Sequence, residues 1–171
     1  MLKVSFYTLG CRLNQAETEV IANSYRSKGC KIVDFNEPSD VFILNSCSVT
    51  EQAEAKCRQV IRRVLRNNPN TYVAIIGCYA QVAAKALQQI KGVDLIVGSH
   101  DKMRLVDIIE PFKTGTPKII RSKIRRENFT IETKTLQPSQ GRRANLKIQD
   151  GCDFMCSFCI IPFARGRARS R

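Results

Sequence analysis

The chain contains no run approaching the roughly 18 consecutive apolar residues that a membrane-spanning helix requires. Its opening, MLKVSFYTLGC, holds one lysine and only a short β-like stretch, not a secretory apolar region. TLGC faintly resembles a lipoprotein cleavage site, but the apolar stretch before it is too short to insert. No internal repeat and no low-complexity tract is present. These absences favour a cytosolic, membrane-free protein, expected to be a monomer. Histidine is nearly missing: His100 is the single one, it follows a strand candidate as Ser99-His100, and it reads as loop surface without a catalytic role. Acidic residues are also scarce, 15 against 28 Lys plus Arg, for a net charge of +13. Residues 1–110 carry 14 basic and 11 acidic side chains, whereas 111–171 carry 14 and 4, so the excess sits in the C-terminal part. Such asymmetry suggests a polyanion as partner, with nucleic acid the first candidate. A protein that is merely basic and soluble is the competing reading.

At 171 residues, 43% hydrophobic and 25% charged, the chain is globular in composition and about one ordinary domain long. Lys3–Thr8 reads as a strand, and Gln15–Lys28 as a helix with Val20, Ile21 and Tyr25 on one face. Further strands are expected at Lys31–Phe35, Val41–Asn45, Tyr72–Gly77 and Asp94–Val97. Helices are expected from Thr50 to about Asn67, from residue 78 through about Ile90, and at Leu105–Ile109. This alternation predicts an α/β fold with an open, mostly parallel sheet and flanking helices, ending near residue 112. Residues 113–143 lose the alternation and read mainly as a linker, although Ile119-Ile120 and Phe129–Ile131 could each add a strand. Ala144–Gln149 then opens a new strand, so three segments are expected: 1–112, 113–143 and 144–171.

Eight cysteines remain, and in a reducing compartment such an excess points to metal or redox chemistry. Cys11, Cys47 and Cys78 each follow a strand, beside Gly10, Ser46 and Gly77. In a parallel sheet, ligands bind beyond the carboxyl ends of the strands, which would bring these three together. Small neighbours admit a bulky group, and nearby helix N-termini favour thiolates. Three thiolates with no companion histidine suit an iron–sulfur cluster better than structural zinc. The alternative is that they pack as small hydrophobes. Cys30 precedes a strand and Cys57 lies inside a helix, and both read as core.

Cys152, Cys156 and Cys159 form GCDFMCSFC, directly after a strand candidate. No second CxxC pair stands nearby to complete a zinc ribbon. A compact loop with three thiolates can hold three irons of a [4Fe–4S] cube and leave the fourth open to chelate S-adenosylmethionine (SAM). Phe158 is then a candidate to pack against the adenosine. Beyond it, Arg165, Arg167, Arg169 and Arg171 are candidates to meet nucleic-acid phosphates, the alternative being a solvated arginine face.

Taken together, TLGCRLNQAETE, ILNSCSVT, IIGCYAQ and IQDGCDFMCSFCIIPFARGRARSR resemble the radical-SAM methylthiotransferases. The resemblance covers the first 112 residues and 144–171. It implies a methylthiotransferase N-terminal domain followed by the first strand and cluster loop of a truncated radical-SAM barrel. It also implies two [4Fe–4S] clusters, an auxiliary one on Cys11, Cys47 and Cys78 and a radical-SAM one on Cys152, Cys156 and Cys159. The implied reaction inserts a methylthio group into an unactivated C–H bond, with SAM, tRNA and an electron donor such as flavodoxin or ferredoxin as partners. TLGCRLNQAET looks most like the branch that modifies N6-threonylcarbamoyladenosine beside the anticodon. The branches acting on isopentenyladenosine or on a ribosomal protein differ in the residues after Gly-Cys. Because 171 − 159 leaves 12 residues after the last cysteine, a barrel of on the order of 200 residues or more is not contained, and catalysis by this stretch alone is not expected. Two other classes compete: a non-catalytic iron–sulfur or sulfur carrier, and a zinc-bound nucleic-acid module.

Overall fold

A computed structural model of the protein describes residues 1–48, 51–111, 113, 115–124 and 147–170, and for 51–54 the backbone only. Six strands form one sheet: β1 (Lys3–Thr8), β2 (Lys31–Val33), β3 (Val41–Ser46), β4 (Tyr72–Gly77), β5 (Leu95–Val97) and β6 (Lys118–Ile120). Their spatial order is β2-β1-β3-β4-β5-β6, and every neighbouring pair is parallel. Parallel strands demand crossovers, and helices supply most of them: α1 (Arg12–Ser27), α2 (Glu51–Asn67), α3 (Cys78–Val82), α4 (Ala84–Gln88) and α5 (Leu105–Ile108), the last preceded by a 3-10 turn at Lys102–Arg104.

The period of two along a strand divides the core. Phe42, Leu44, Val73, Ile75 and Ile96 face α2, α3 and α4 through Cys57, Val60, Ile61, Tyr79 and Leu87. Val41, Ile43, Ala74, Ile76 and Leu95 face the other side, where Ile21 and Tyr25 of α1 and Leu105 of α5 cover them. β3 and β4 are buried along their whole lengths, which is why VFIL and YVAIIG are continuous apolar runs.

The expected α/β architecture is present, with informative departures. The alanine-rich stretch after β4 is two short helices, because Ala83 leaves helical geometry at φ −128°, ψ 36°. Lys118–Ile120, within the stretch read mainly as linker, is the sixth strand of the sheet. Its backbone is tied at both ends, Lys118 N–H donating to Asp94 O and Gly98 N–H to Ile120 O, each at 2.9 Å. A three-residue edge strand is too short to show an alternating pattern, so its sequence signal is weak. The Phe129–Ile131 strand candidate lies outside the described residues, as do residues 144–146 of the last one. What is described there is β7 (Gln149–Asp150), paired antiparallel with β8 (Arg169–Ser170), with α6 (Ile161–Arg165) between them.

Candidate metal centre

β1, β3 and β4 are neighbours in the sheet, so the loops that leave their carboxyl ends are neighbours too. Gly10 shows how tightly they meet. Its φ is +98°, and a Cβ there would stand 2.7 Å from Cys47 Cβ and 2.8 Å from Cys47 Sγ. Gly77 likewise has φ +100°, and a Cβ there would stand 2.5 Å from Asn45 Oδ1 and 2.8 Å from Ser46 O. Only glycine fits either position, and the loops carrying Cys11, Cys47 and Cys78 therefore close on one another. Asn14 pins two of them, its Nδ2 donating to Leu9 O at 2.9 Å and to Ser46 O at 3.2 Å. Cys11 is the N-cap of the 16-residue α1 and makes no side-chain capping bond, and Cys78 is the first residue of α3. Exposure grades across the edge: Cys11 is exposed, Cys47 half-buried and Cys78 buried, and all three are free thiols.

The second cysteine group lies on a surface loop. Cys156 is exposed and Cys152 and Cys159 are half-buried, with Cys159 N–H donating to Cys156 O at 3.1 Å. Cys152 N–H donates to Gly166 O, also at 3.1 Å, which closes the loop on the end of α6. Phe158 is 90% exposed, and Phe154, Met155 and Phe163 are exposed beside it.

A buried charge cluster joins this segment to the sheet domain. Glu17 of α1 accepts from Lys147 Nζ at 2.7 Å and from Arg165 Nη1 and Nη2 at 3.1 Å each, and it pairs with Lys102 Nζ. Asp150 accepts from Lys147 Nζ at 2.7 Å, Arg165 Nη1 at 2.9 Å and Arg169 Nη2 at 3.2 Å. Arg165 Nη2 also donates to Asn14 Oδ1, so the guanidinium reaches the side chain that pins the Cys11 and Cys47 loops. Glu17 and Lys102 are each 1% exposed and Arg165 is 3% exposed, so these ions are removed from water. Burial pushes the Glu17 carboxyl up, but Lys102, Arg165 and Lys147 outweigh it and hold the group below the usual carboxylate range. Asp150 is lowered in the same way, burial being outweighed chiefly by Lys147 and Arg165. Burial disfavours the Arg165 cation, yet Glu17 and, further down, Cys78 and Asp150 raise its pKa overall.

The structure thus brings Cys11, Cys47 and Cys78 to one edge and sets the Cys152–Cys159 loop against the same domain through α6. Among the described residues, no three His, Cys, Asp or Glu side chains stand close enough to hold one metal ion. A cubane spreads its ligand sulfurs farther apart than a single ion does. Its fit rests on the donor chemistry, free thiols at a glycine-cleared edge, and on charge. Lys102, Lys147, Arg165 and Arg169 gather on Glu17 and Asp150, and Arg165 is close enough to Cys78 to interact with it, a cationic setting that suits an anionic thiolate-bound group. Ser48 Oγ, shielded and without a hydrogen-bond partner, adds a donor next to Cys47.

The arginines after the loop do not form one exposed row. Arg165 and Arg169 turn inward to the carboxylates, Arg167 is exposed and donates to Asp153 O at 3.2 Å, and Arg171 lies outside the described residues. Arg165 therefore presents no open face to a phosphate, because its fork already holds Glu17, Asp150 and Asn14. Cys57 is core, as expected, and Cys30 is half-buried against the α1 side. Sequence reasoning passed over Asn14, Glu17, Lys102, Lys147 and Asp150. One signal was available: counting back from Tyr25 and Ile21 at helical spacing reaches Glu17 and Asn14, two polar residues at inward positions.

Among the described residues no helix is long and apolar enough to cross a membrane. The chain is 40% identical over 170 residues to the Threonylcarbamoyladenosine tRNA methylthiotransferase MtaB of Aquifex aeolicus, covering 99% of this chain and 42% of that protein. It is 39% identical over 181 residues to the protein of the same name from Bacillus subtilis, covering 100% of this chain and 38% of that one. It is 34% identical over 173 residues to the tRNA-2-methylthio-N(6)-dimethylallyladenosine synthase of Chloroherpeton thalassium, covering 99% and 38%. The chain thus spans about two fifths of the length of these curated relatives, which are tRNA methylthiotransferases. Residues 3–98, the sheet domain as far as β5 with all three strand-end cysteines, match the family described as Uncharacterized protein family UPF0004, and the chain belongs to that family.

Proposed function

We propose that this chain is the N-terminal part of a radical-SAM methylthiotransferase that adds a methylthio group to N6-threonylcarbamoyladenosine in tRNA. The observation that carries the reading is the convergence of the Cys11, Cys47 and Cys78 loops at one sheet edge, with a second three-cysteine loop docked to the same domain. The substrate choice is supported by the TLGCRLNQAET stretch and by the names of the relatives at 40% and 39% identity. Cys11, Cys47 and Cys78 would hold an auxiliary [4Fe–4S] cluster, and Cys152, Cys156 and Cys159 the SAM-binding one. When bound, the two groups would supply reductive SAM cleavage and a sulfur-bearing iron, with electrons from a donor of the flavodoxin or ferredoxin kind.

The chain's own residues supply position. Gly10 and Gly77 let the thiol loops approach, Asn14 holds the first two in register, and Arg165 ties the second cysteine loop to Asn14 and Glu17. Phe158, open to solvent, offers an aromatic face beside Cys159 for an adenine. Anaerobic reconstitution tests the reading, with iron and sulfide measured per chain for wild type and for the Cys11→Ala/Cys47→Ala/Cys78→Ala variant. About eight irons falling to about four is the expected result for two cubane sites. Zinc without sulfide, or iron unchanged in the triple variant, would sink it.

A further inference from the structure

With Arg165 and Arg169 turned inward, the outward-facing cations of the described domain are better sought on its helices. Cys57, Val60, Ile61 and Val64 fix the inward face of α2. Its other side shows Lys56, Arg58, Arg62, Arg63 and Arg66, all exposed, and residues 55–67 contain no acidic residue. α1 differs: Glu19 stands among its basic residues, so its outer side is mixed in sign.

Two features make the α2 face more than a solvated row. Arg58, Arg62 and Arg66 are spaced four residues apart, so they climb one side of the helix at about 6 Å per step. They run from about 10 to about 23 Å beyond the start of α2, which begins four residues after Cys47. The cationic line therefore leads away from the cysteine edge down the flank of the domain. A groove opens beside it between α2 and the end of α4, lined by Arg58, Arg62, Ala86, Gln89, Ile90 and Lys91, with no carboxylate in its wall. Among the described residues Arg62 and Arg66 have no acidic partner, whereas Arg63 is turned aside onto Asn36 and the Phe35 ring.

We infer that this groove is a docking surface for an RNA backbone, holding a helical stem whose far end presents its target base to the cysteine edge. The Arg62 and Arg66 guanidinium groups, one turn apart on a rigid helix with the Lys91 ammonium across the groove and no acidic partner among the described residues, match successive phosphates and carry no base code. The inference rests on the tRNA reading above and adds the place of contact to it.

The test is binding of a fluorescently labelled RNA hairpin, with the stem and loop of an anticodon arm, to the 171-residue chain at several salt concentrations. Each lost phosphate contact lowers the log–log salt slope by about 0.7–0.9, so Arg62→Gln/Arg66→Gln/Lys91→Gln should reduce it by about 2 to 3. Lys3→Gln/Lys31→Gln/Arg104→Gln removes the same charge from exposed positions away from the groove and should leave the slope within about one unit of wild type. All six positions are exposed, and matching circular dichroism melts would show that neither triple disturbs the fold. Equal losses in both triples, or a groove triple that binds like wild type, would overturn the groove. Poly-L-glutamate binding that needs the groove, with RNA binding intact, would assign it to an acidic polypeptide and equally overturn it. Failure of the wild-type chain to bind RNA at any salt would instead strike the tRNA reading itself.

Discussion

Replacing Glu17 tests whether the charged joint holds the second cysteine segment to the sheet domain. The carboxylate is 1% exposed and meets Lys102, Lys147 and Arg165 at once. Glu17→Ala takes the carboxylate away from Lys102 and leaves Lys147 and Arg165 with Asp150, and removing one partner of a buried ionic group costs about 3–5 kcal/mol. For a chain of this length each kcal/mol moves the melting temperature by about 2–4 °C, so the drop should be roughly 6–20 °C. Glu17→Gln keeps the shape and one acceptor and should fall between wild type and alanine. Urea unfolding followed by far-ultraviolet circular dichroism suits a chain without tryptophan. The pH dependence is a second, independent readout. Because the folded Glu17 carboxyl titrates below its unfolded value, its contribution is complete above about pH 5 and is lost as pH falls through and below the ordinary carboxylate range. Wild type should therefore lose stability between about pH 5 and 3 more steeply than Glu17→Gln. A Glu17→Ala chain within about 0.5 kcal/mol of wild type, with the same acid limb, would refute the reasoning.

Arg165→Lys keeps the charge but not the fork that spans Glu17, Asp150 and Asn14, so urea unfolding should show a loss of about 1.5–3 kcal/mol. In a double-mutant cycle with Glu17→Ala the two losses should be non-additive by at least about 0.5 kcal/mol. Gly10→Ala forces a side chain into φ +98° and against Cys47, so it should destabilise the chain by about 1–3 kcal/mol and reduce iron bound after reconstitution. Cys30→Ala should leave iron and sulfide per chain at the wild-type level, because Cys30 packs on the α1 side, away from the three strand ends. Phe158→Ala should change stability by less than about 0.5 kcal/mol in a thermal melt, since the ring is 90% exposed.

The sheet was legible because its strands announce themselves. Runs such as VFIL and YVAII are apolar on both faces and are followed within two residues by a small one, Ser46 or Gly77, and the helices between them carry the period of their buried stripe. The order of the strands was not legible in those patterns, since period and length say nothing about neighbours. β6 is legible only as a strand candidate at Ile119-Ile120 inside a stretch that otherwise reads as linker, because three residues among lysines and prolines carry no period, and its place is set by Asp94 and Gly98 backbone groups from elsewhere. The strand-end positions of Cys11, Cys47 and Cys78 followed from local reading alone. That their loops touch needed the adjacency of β1, β3 and β4, together with the close approach at Gly10 and Gly77.

The arginines show the opposite case, where local reading points outward and tertiary structure points inward. An alternating Arg-x-Arg run is what a solvated or phosphate-facing strand looks like, and nothing within 165–171 reveals a buried carboxylate. The partners are Glu17, which is 148 residues before Arg165, and Asp150, which is 15 before it. Glu17 in turn looks like an ordinary helix-surface glutamate until the inward stripe of α1 is traced back through it. Each half of the joint is thus a charged residue at a position where an isolated segment would keep it wet, and only the docked pair explains either. The joint therefore belongs to the two segments together: Asn14 and Glu17 come with the Cys11 loop, and Arg165 and Asp150 come with the Cys152–Cys159 loop. A substitution on one side should be felt on the other. Glu17→Ala should expose the second cysteine loop to proteolysis, while Arg165→Ala should loosen the Asn14 bridge between the Cys11 and Cys47 loops.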